Sequence, residues 1–546
     1  MIAFLLATAL ASDVPITGPQ AEDAARRTRP ASVPDDDTLV AAGAVVGEVR
    51  VTTLDIFDPS KPGEDRAIFR AANKVHPRTR PNTVRRLLLF EPGDRYDPEQ
   101  LAESERILRA SGYLYDAWIR PIGWDGTRVD IEVVTRDVWT LTLGIGYSRS
   151  GGENRTRIGI EDSNLLGTGK EVTLRRTSDV DRTQVLYRYR DPNIAGKWWR
   201  FEIAYGDNSD GQSHSFDLAR PFYSLDTPWS AGVFWRDDDF EDALWEAGEE
   251  FANFRHRRQQ GDLFAGFSRG PQGERVVRWT GGYAWDRDRF APVPDAFAPP
   301  QVFNDRTFGY PYLEVEQLPI SYVRARDIDR VVRTEDLRLG TALFARLGWA
   351  APAFGSEHAA AILRGTARRA STPGEEQLLV MEGLAEGRWP EGGVENVLVD
   401  TNLRFYRRNF GRHAFYFRIG AAAAVKLDPD RQLLIGGDSG LRGYPLRFQS
   451  GDRRLLVTVE QRFYTDWHVL KLLYVGAAVF ADVGRAWYAG RQDLDRPWLK
   501  DVGVGLRVGS SRSAKGAMVH IDLSWAIDAP PGISRTQITI ETREKF

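Results

Sequence analysis

The residues best suited to do chemistry in this 546-residue chain lie in one glycine-dense stretch that carries a single arginine. Four glycines within eight residues indicate a backbone that turns tightly or presses against a neighbouring element. Arg442 brings a permanent charge, and a guanidinium forms two parallel hydrogen bonds with a carboxylate, so this arginine needs an acidic partner. The residues of the stretch are Gly436, Gly437, Asp438, Ser439, Gly440, Leu441, Arg442, Gly443 and Tyr444.

Asp482 is a candidate acidic partner for this arginine. It lies in a strand-like stretch with an apolar residue at every second position, so Phe480, Asp482 and Gly484 fall on the opposite face. If that face lines the inside of a barrel, Arg442 can reach Asp482 there. On the local sequence alone, a surface turn carrying Arg442 and a solvated Asp482 explain the pattern equally well. The apolar row comprises Leu473, Val475, Ala477, Val479, Ala481 and Val483.

Two shorter motifs point to catalysis or phosphate binding, but each lacks required parts. Residues 437–440 are similar to the nucleophile turn of serine proteases, yet Leu441 follows where a glycine belongs, and none of the seven histidines has a fitting context. Residues 167–170 resemble a phosphate-binding loop, except that Asn164 replaces the leading glycine and Glu171 replaces Ser or Thr. We therefore assign no catalytic residue and no cofactor.

Metal and nucleic-acid binding are not indicated either. The acidic runs at residues 35–37 and 237–239 lack the calcium-loop pattern, and the histidines are scattered without ligand spacing. The chain contains no cysteine, which excludes disulfides, zinc thiolates and cysteine nucleophiles. The net charge of -3 is not divided into acidic and basic blocks, so no nucleic-acid partner is expected.

Composition leaves a membrane barrel possible but does not require it. No apolar run approaches the roughly 18 residues of a spanning helix, so a membrane crossing would need a closed barrel. The 16 Trp, 18 Tyr and 27 Phe suit the aromatic girdles of such a barrel, although a large soluble β protein is also rich in aromatic residues.

The N-terminal residues divide into a leader and a linker. Residues 1–11 hold a short apolar run ending in Ala-Leu-Ala, which predicts a secretory signal peptide. The positively charged start is missing, so the signal is atypical or the true start codon lies upstream; a mobile apolar N-terminus is the alternative. Residues 12–44, with four prolines and an acidic run, predict a flexible linker.

Residues 45–137 predict a small α+β domain in the order β-α-α-β-β. A basic, partly helical insert near residues 67–74 follows the first strand. The second helix opens at residues 97–100 with a capping-box arrangement and proline in its first turn. Asp-Gly at residues 125–126 then joins two strands as a hairpin.

Residues 138–546 predict a mostly β domain. Helical periodicity disappears, and alternating strand-length segments recur between turns rich in Gly, Asp and Pro. Apolar-out and polar-in alternation is typical of a transmembrane barrel, and about 25 residues per strand with its connection predicts about 16 antiparallel strands. One segment shows the pattern well, with Val519, Ile521, Leu523 and Trp525 alternating with His520, Asp522 and Ser524.

The order of residues 45–137, with the Leu-Phe-Glu-Pro-Gly-Asp-Arg-Tyr stretch at 89–96 between the helices, resembles a single POTRA domain. Such domains precede certain outer-membrane barrels on the periplasmic side. The first barrel strands with Gly144 and Gly146, the Leu-Arg-Gly-Tyr turn and the Phe-x-Asp-x-Gly strand resemble the BamA/TamA superfamily of bacterial surface antigens. The C-terminal Phe546, with Ile540 six residues before it, resembles an outer-membrane barrel signal, from which Glu544 departs.

The resemblance implies a location and a function. The barrel would lie in the lipid bilayer of the outer membrane with the POTRA domain in the periplasm. It would insert or translocate client proteins, with periplasmic accessory proteins as further partners, while the arginine turn folds into the barrel. The first and last strands would form a seam that includes Gly144, Gly146, Ile540 and Phe546. The alternatives are a passive pore, a two-partner secretion channel, or an outer-membrane lipase that would need a Ser-His pair.

Overall fold

The computed structural model describes most of the chain. The described residues are 28–61, 63–294, 296–299, 303–325, 334–409, 413–470, 472–490, 496–510 and 518–543. The predicted signal peptide at residues 1–11 and the C-terminal Phe546 of the predicted seam lie outside them.

The N-terminal domain places its helices against one three-stranded sheet. Strand β1 pairs in parallel with β3, and β2 pairs antiparallel with β3 on its other side. Asp97 caps the last helix by accepting a hydrogen bond from the amide of Glu99 at 2.8 Å. No helix in the described ranges is long and apolar enough to cross a membrane. The elements are α1 (Asp36–Ala41), β1 (Val45–Leu54), α2 (Ala67–Val75), α3 (Pro81–Arg85), α4 (Pro98–Ala110), β2 (Leu114–Trp124) and β3 (Arg128–Asp137).

The described part of the predicted linker is packed onto this domain. Asp35 caps α1 by accepting a hydrogen bond from the Thr38 amide at 2.8 Å, so the acidic run begins a helix instead of lying in a mobile segment. Leu39 of α1 is fully buried in the core of the domain, together with Val33. For residues 28–44 the prediction of a flexible linker is therefore wrong.

The C-terminal domain is a closed antiparallel barrel of twenty strands within the described residues, where the sequence predicted about 16. The difference arises because several connections are very short. Gly151 and Gly152 join the first two strands, and Ala247 and Gly248 join another pair, all four with left-handed φ as in two-residue hairpins. The barrel strands are β4 (Leu141–Ser150), β5 (Glu153–Asp162), β6 (Glu171–Ser178), β7 (Thr183–Ile194), β8 (Trp199–Asn208), β9 (Gly211–Arg220), β10 (Trp229–Glu246), β11 (Glu249–Gln272), β12 (Arg275–Pro292), β13 (Arg306–Pro319), β16 (Gly340–Ala350), β17 (Ala360–Ser371), β18 (Gln377–Pro390), β19 (Glu395–Arg408), β20 (Ala414–Val425), β23 (Arg453–Val469), β24 (Leu473–Trp487), β25 (Leu499–Ser510), β26 (Met518–Ala526) and β27 (Thr536–Arg543).

Two small hairpins lie outside the barrel wall. One, β14 (Tyr322–Ala325) with β15 (Glu335–Arg338), connects β13 to β16 at the end of the barrel where the POTRA-like domain is attached. The other, β21 (Leu433–Ile435) with β22 (Gln449–Gly451), belongs to the loop that connects β20 to β23 at the opposite end.

The wall alternates as the sequence predicted. Along β25, Val502, Val504 and Leu506 are exposed, whereas Asp501 and Arg507 are buried. Since residues of opposite parity face opposite sides of a strand, the apolar row is on the outside and the charged row lines the lumen. This is the side-chain distribution of a barrel that stands in lipid.

Candidate functional site

The loop at residues 426–452, which we call the lumen loop, folds into the barrel. At its tip, residues 437–439 form a single 3-10 turn. The Gly436 amide donates to the Ser439 hydroxyl at 2.7 Å, and that hydroxyl donates to the Gly436 carbonyl at 3.1 Å. The hydroxyl of the protease-like motif is thus engaged in closing its own turn.

Arg442 of the lumen loop is 2% exposed and forms hydrogen bonds with three carboxylates. Its Nε donates to Asp482 at 2.8 Å and its Nη2 donates to the other oxygen of the same carboxylate at 3.2 Å. Its Nη1 donates to Glu460 and to Asp522, both at 3.0 Å. The structure therefore brings together the two residues that the sequence paired, with the bidentate geometry that a guanidinium favours.

Phe480 completes the contacts of this arginine. The guanidinium carbon lies 3.2 Å from the centroid of the Phe480 ring, so one face of the cation packs on an aromatic surface. Phe480, Asp482 and Gly484 all lie on the inward row of β24.

Further buried charges surround the pair, and the sequence analysis did not identify them. Arg507 is fully buried, and its Nη2 lies 3.1 Å from Glu460; the same guanidinium also binds Asp522. Arg462 donates to Glu460 at 2.9 Å. The only signal in the sequence is that each residue occupies the polar row of its strand. Which polar residues lie at the same height depends on the register of β23 to β26.

Two glycines of the predicted motifs allow the lumen loop to approach the wall. A Cβ on Gly443 would lie 2.7 Å from the Cβ of Asp501, and the Gly443 amide donates to that carboxylate at 3.1 Å. A Cβ on Gly484 would lie 2.7 Å from Ile435 of the loop. Both positions therefore exclude any larger residue unless the loop moves away.

The apolar residues of the loop anchor it. Leu441 and Tyr444 are fully buried in a cluster with Leu456 and Leu499 of the wall. The Tyr444 hydroxyl donates to the Lys500 carbonyl and accepts from the Lys500 amide, each at 3.1 Å.

The lumen loop also touches the first hairpin of the barrel. The Leu446 amide donates to the Gly151 carbonyl at 3.2 Å. A Cβ on Gly437 would lie 2.5 Å from the Cα of Gly151, and a Cβ on Gly436 would lie 2.4 Å from the Pro445 carbonyl. The glycines at the start of the motif thus fit the loop against itself and against the β4–β5 turn.

We call the junction of β4 and β27 the seam. Among the residues that the structure describes, its ladder registers one pair, Ile540 opposite Arg149. On the other side of β27, the ladder with β26 runs from Met518 opposite Arg543 to Trp525 opposite Thr536. Gly144 and Gly146 lie on β4 opposite Gly159 and Arg157 of β5.

The POTRA-like domain contacts the barrel side of the chain at a second point besides its covalent link, through the β14–β15 hairpin. Arg109 of α4 donates two hydrogen bonds to Asp336 of β15, both at 2.7 Å, and another to Glu105. Thr334 beside β15 donates to Asp116 of β2 at 2.9 Å. Burial lowers the pKa of Arg109, but the hydrogen bonds that it donates to Asp336 and the nearby carboxylates outweigh this effect, so the pKa lies above its ordinary value.

One edge of the three-stranded sheet is occupied by side chains. On β2, the Ile119 amide donates to Glu105 at 3.1 Å, and the Ala117 carbonyl accepts from Arg109 at 3.2 Å. Strand β1 forms the other edge, where Val46 binds the turn at residues 93–94. Beyond Val46, the outer side of β1 pairs with no strand in the part of the chain that the structure describes.

The lumen is only partly filled. A cavity of about 990 Å³ lies between the lumen loop and the wall, lined by charged residues of both signs that include Arg418, Arg454 and Asp400. A second cavity of about 610 Å³ is lined by His256, Asp288 and other residues. In the described ranges, no group of three or more His, Asp or Glu side chains is arranged to hold a metal ion.

Comparison with known proteins identifies the N-terminal domain. Residues 76–136 match the POTRA family model, described as surface antigen variable number repeat. No curated protein matches the chain.

Similar solved structures include BamA from Haemophilus ducreyi lacking POTRA domains 1–3, at 14% identity over 90% of this chain and 84% of that chain, with a TM-score of 0.38. CdiB from Acinetobacter baumannii is 13% identical over 91% of this chain and 74% of that chain, and CdiB from Escherichia coli is 12% identical over 91% and 76%, both with a TM-score of 0.44. At these values the similarities carry no functional inference.

A closed antiparallel barrel with an apolar exterior and a charged lumen is an outer-membrane barrel. The chain joins one POTRA domain to such a barrel, and this confirms the predicted BamA/TamA-like architecture.

Proposed function

We propose that this protein inserts or translocates other polypeptides at the outer membrane, with its POTRA domain in the periplasm. No covalent chemistry is needed. The observation that carries the proposal is the seam, where β4 and β27 register at one pair, Arg149 and Ile540, within the described ranges. A strand edge that is barely paired has free backbone donors and acceptors, which can template the strand of an incoming chain.

The POTRA domain would hand over the client through its β1 edge. The β2 edge is already occupied by Glu105 and Arg109, so β1 is the edge that supports addition of an extended chain beyond Val46. The strand β3 leads directly into the first barrel strand, which keeps the client near the seam. Client proteins and, if present, periplasmic accessory proteins would therefore bind on the β1 side.

The lumen loop would hold the barrel in its working shape. It binds three inward carboxylates through Arg442 and touches the β4–β5 turn through Gly437 and Leu446. Because β4 forms one side of the seam, the loop braces the strand that must remain fixed while β27 moves away. The proposed role rests on two sets of contacts, those of Arg442 with the wall and those of Gly437 and Leu446 with the β4–β5 turn.

The rival function is a passive pore or a two-partner secretion channel. The charged cavity beside the lumen loop favours a pore or channel, since a lumen with exposed charges of both signs carries water and ions. A pore conducts steadily and keeps its seam shut. Planar bilayer recordings on the purified protein would distinguish the pore from the insertion factor. Steady conductance that does not change when the seam is locked would support the pore.

An enzymatic function has the least structural support of the three candidate functions. Ser439 closes its own turn, and no histidine is hydrogen-bonded to it in the described residues. A hydrolase assay with ester and peptide substrates on the purified protein would test this directly.

The client test uses a photo-crosslinker at Tyr147, an outward-facing residue of β4 close to the seam, in living cells. The expected result is capture of other barrel proteins, identified by mass spectrometry. The matched control is Tyr187 on β7, which is equally exposed on the barrel exterior but distant from the seam. Capture of only lipid or this protein's own β27 at Tyr147 would contradict the proposal and favour the pore.

A further inference from the structure

The basic insert between β1 and α3 forms an amphipathic helix whose apolar face is only half covered. Phe69 of α2 is buried, and its ring stacks on Phe57 with centroids 4.4 Å apart. On the same helix, Ile68 is 69% exposed and Val75 is 68% exposed. Residues seven apart share a helix face, so these two form one uncovered apolar stripe beside the buried residue.

The helix is held firmly, so the exposed stripe is not a consequence of a loose segment. The Asn73 side chain donates to the Phe57 carbonyl at 2.8 Å and accepts from the Phe57 amide at 3.1 Å. His76, directly after the helix, binds Asp137 at 3.0 Å, which fixes the insert to the end of β3. The POTRA family match begins at residue 76 and does not extend over this helix.

The helix lies at the rim of the barrel. Leu472, in the β23–β24 turn, packs against the cluster that contains Phe57 and Phe69. Large apolar residues at that turn are strongly exposed, with Trp467 at 72% and Leu470 at 66%. Tryptophan and large apolar residues at the end of barrel strands mark the boundary of the hydrocarbon layer. The apolar stripe of α2 is therefore at the level of the membrane surface.

The basic residues beside the apolar stripe indicate which kind of surface the helix contacts. Arg66, Arg70 and Lys74 are exposed, and none of them forms an ion pair within the residues described. The nearest arginine beyond the helix, Arg78, is already paired with Asp55. Unpaired basic residues next to an apolar stripe at a membrane boundary complement an anionic lipid surface.

We infer that α2 is an interfacial helix that inserts Ile68 and Val75 into the lipid surface beside the barrel and binds anionic headgroups through Arg66, Arg70 and Lys74. It fixes the POTRA domain against the membrane next to the turn that contains Leu472. The inference rests on the residence of the barrel in a membrane and not on its assembly activity.

The test exploits the absence of cysteine from the chain. Val75→Cys in the full-length protein is labelled with an environment-sensitive fluorophore and reconstituted in nanodiscs of phosphatidylcholine, with or without phosphatidylglycerol. The control is Thr127→Cys, on the exposed β2–β3 turn of the same domain. Migration of unheated samples on gels verifies that each barrel is folded.

The expected result is a blue-shifted Val75 probe that is quenched by nitroxide-labelled lipid and protected from acrylamide. Both effects should be stronger with phosphatidylglycerol, while the Thr127 probe remains accessible. Combined Arg66→Ser, Arg70→Ser and Lys74→Ser should remove the dependence on phosphatidylglycerol.

Three outcomes would overturn the inference. The first is a Val75 probe as accessible to acrylamide as the control. The second is protection without quenching by lipid, which would mean that protein covers the helix. The third is equal quenching in both lipid compositions, which would remove the role of anionic headgroups. None of these outcomes depends on a client, so failure here is distinct from failure of the proposed function.

Discussion

Arg442 and Asp482, 40 positions apart in the chain, form a two-point hydrogen-bonded ion pair in the interior of the barrel, where Asp482 is fully buried. The same guanidinium joins Glu460 of β23 and Asp522 of β26, so one loop residue ties three wall strands together. Removing either member of a buried ion pair leaves the other charge uncompensated. The resulting loss of folding stability is larger than the net stabilisation that the pair provides.

Arg442→Ala should destabilise the barrel by about 3–5 kcal/mol, because it leaves three carboxylates without their shared cation. Asp482→Asn should cost less, since the guanidinium keeps its bonds to Glu460 and Asp522. The double variant should be little worse than Arg442→Ala alone. The measurement is denaturant-induced unfolding in detergent, followed by gel mobility of unheated samples.

The control for this cycle is Arg454→Ala. Arg454 also faces the lumen and pairs with Asp400 at 2.8 Å, but both side chains are about one-third exposed to the lumen. Such a pair contributes only about 0–1 kcal/mol, so this variant should remain close to the unmodified protein. Fully additive losses at Arg442 and Asp482 would contradict a direct coupling.

Gly443→Ala tests the close approach of the lumen loop to the wall. The added methyl group would lie 2.7 Å from the Cβ of Asp501 and 3.1 Å from the Ala526 amide, and neither atom belongs to a flexible chain end. We expect a loss of about 1–3 kcal/mol, in the range of overpacked cores. Gly281→Ala is the matched control, because its nearest atom would be at 3.9 Å. Equal stability of the two variants in the same unfolding assay would show that the loop is not held against the wall.

The order of the two domains, the barrel class and one candidate pair of the site could be predicted from the sequence. The alternation along β24 placed Phe480, Asp482 and Gly484 on one face without any knowledge of the register between strands. Glu460, Asp522 and Arg507 could not be found that way, because only the shear of the closed barrel brings them to the height of Arg442.

The predicted strand number and, for residues 28–44, the predicted linker were wrong for physical reasons. The strand number was too low because two-residue hairpins such as Gly151-Gly152 use less chain than an average connection. The linker prediction failed for residues 28–44 because a short capped helix contributes Leu39 to the POTRA core, and six residues are too few for a clear periodicity.

Arg109→Ala should release the β14–β15 hairpin from the POTRA domain. Arg109 is buried against Asp336 and Glu105, and its loss removes both hydrogen bonds to Asp336 and leaves Glu105 with Arg324 of β14, which donates to it at 3.2 Å. Hydrogen exchange of the Glu335–Arg338 strand should then increase by at least about tenfold, which corresponds to 1.4 kcal/mol. Arg120→Ala serves as control, since its pair with Glu132 lies on the surface of the same domain. Unchanged exchange in Arg109→Ala would mean that other contacts hold the hairpin.

The seam is tested most directly by locking it. Arg149→Cys with Ile540→Cys joins a registered pair of β4 and β27, and Tyr147→Cys with Thr156→Cys joins β4 to β5 as a control within the closed wall. Both variants would be assayed in proteoliposomes for insertion of a barrel client, oxidised and then reduced. The account predicts that oxidation abolishes insertion only in the seam variant and that reduction restores it. Full activity of the oxidised seam variant would contradict insertion through an opening between β4 and β27.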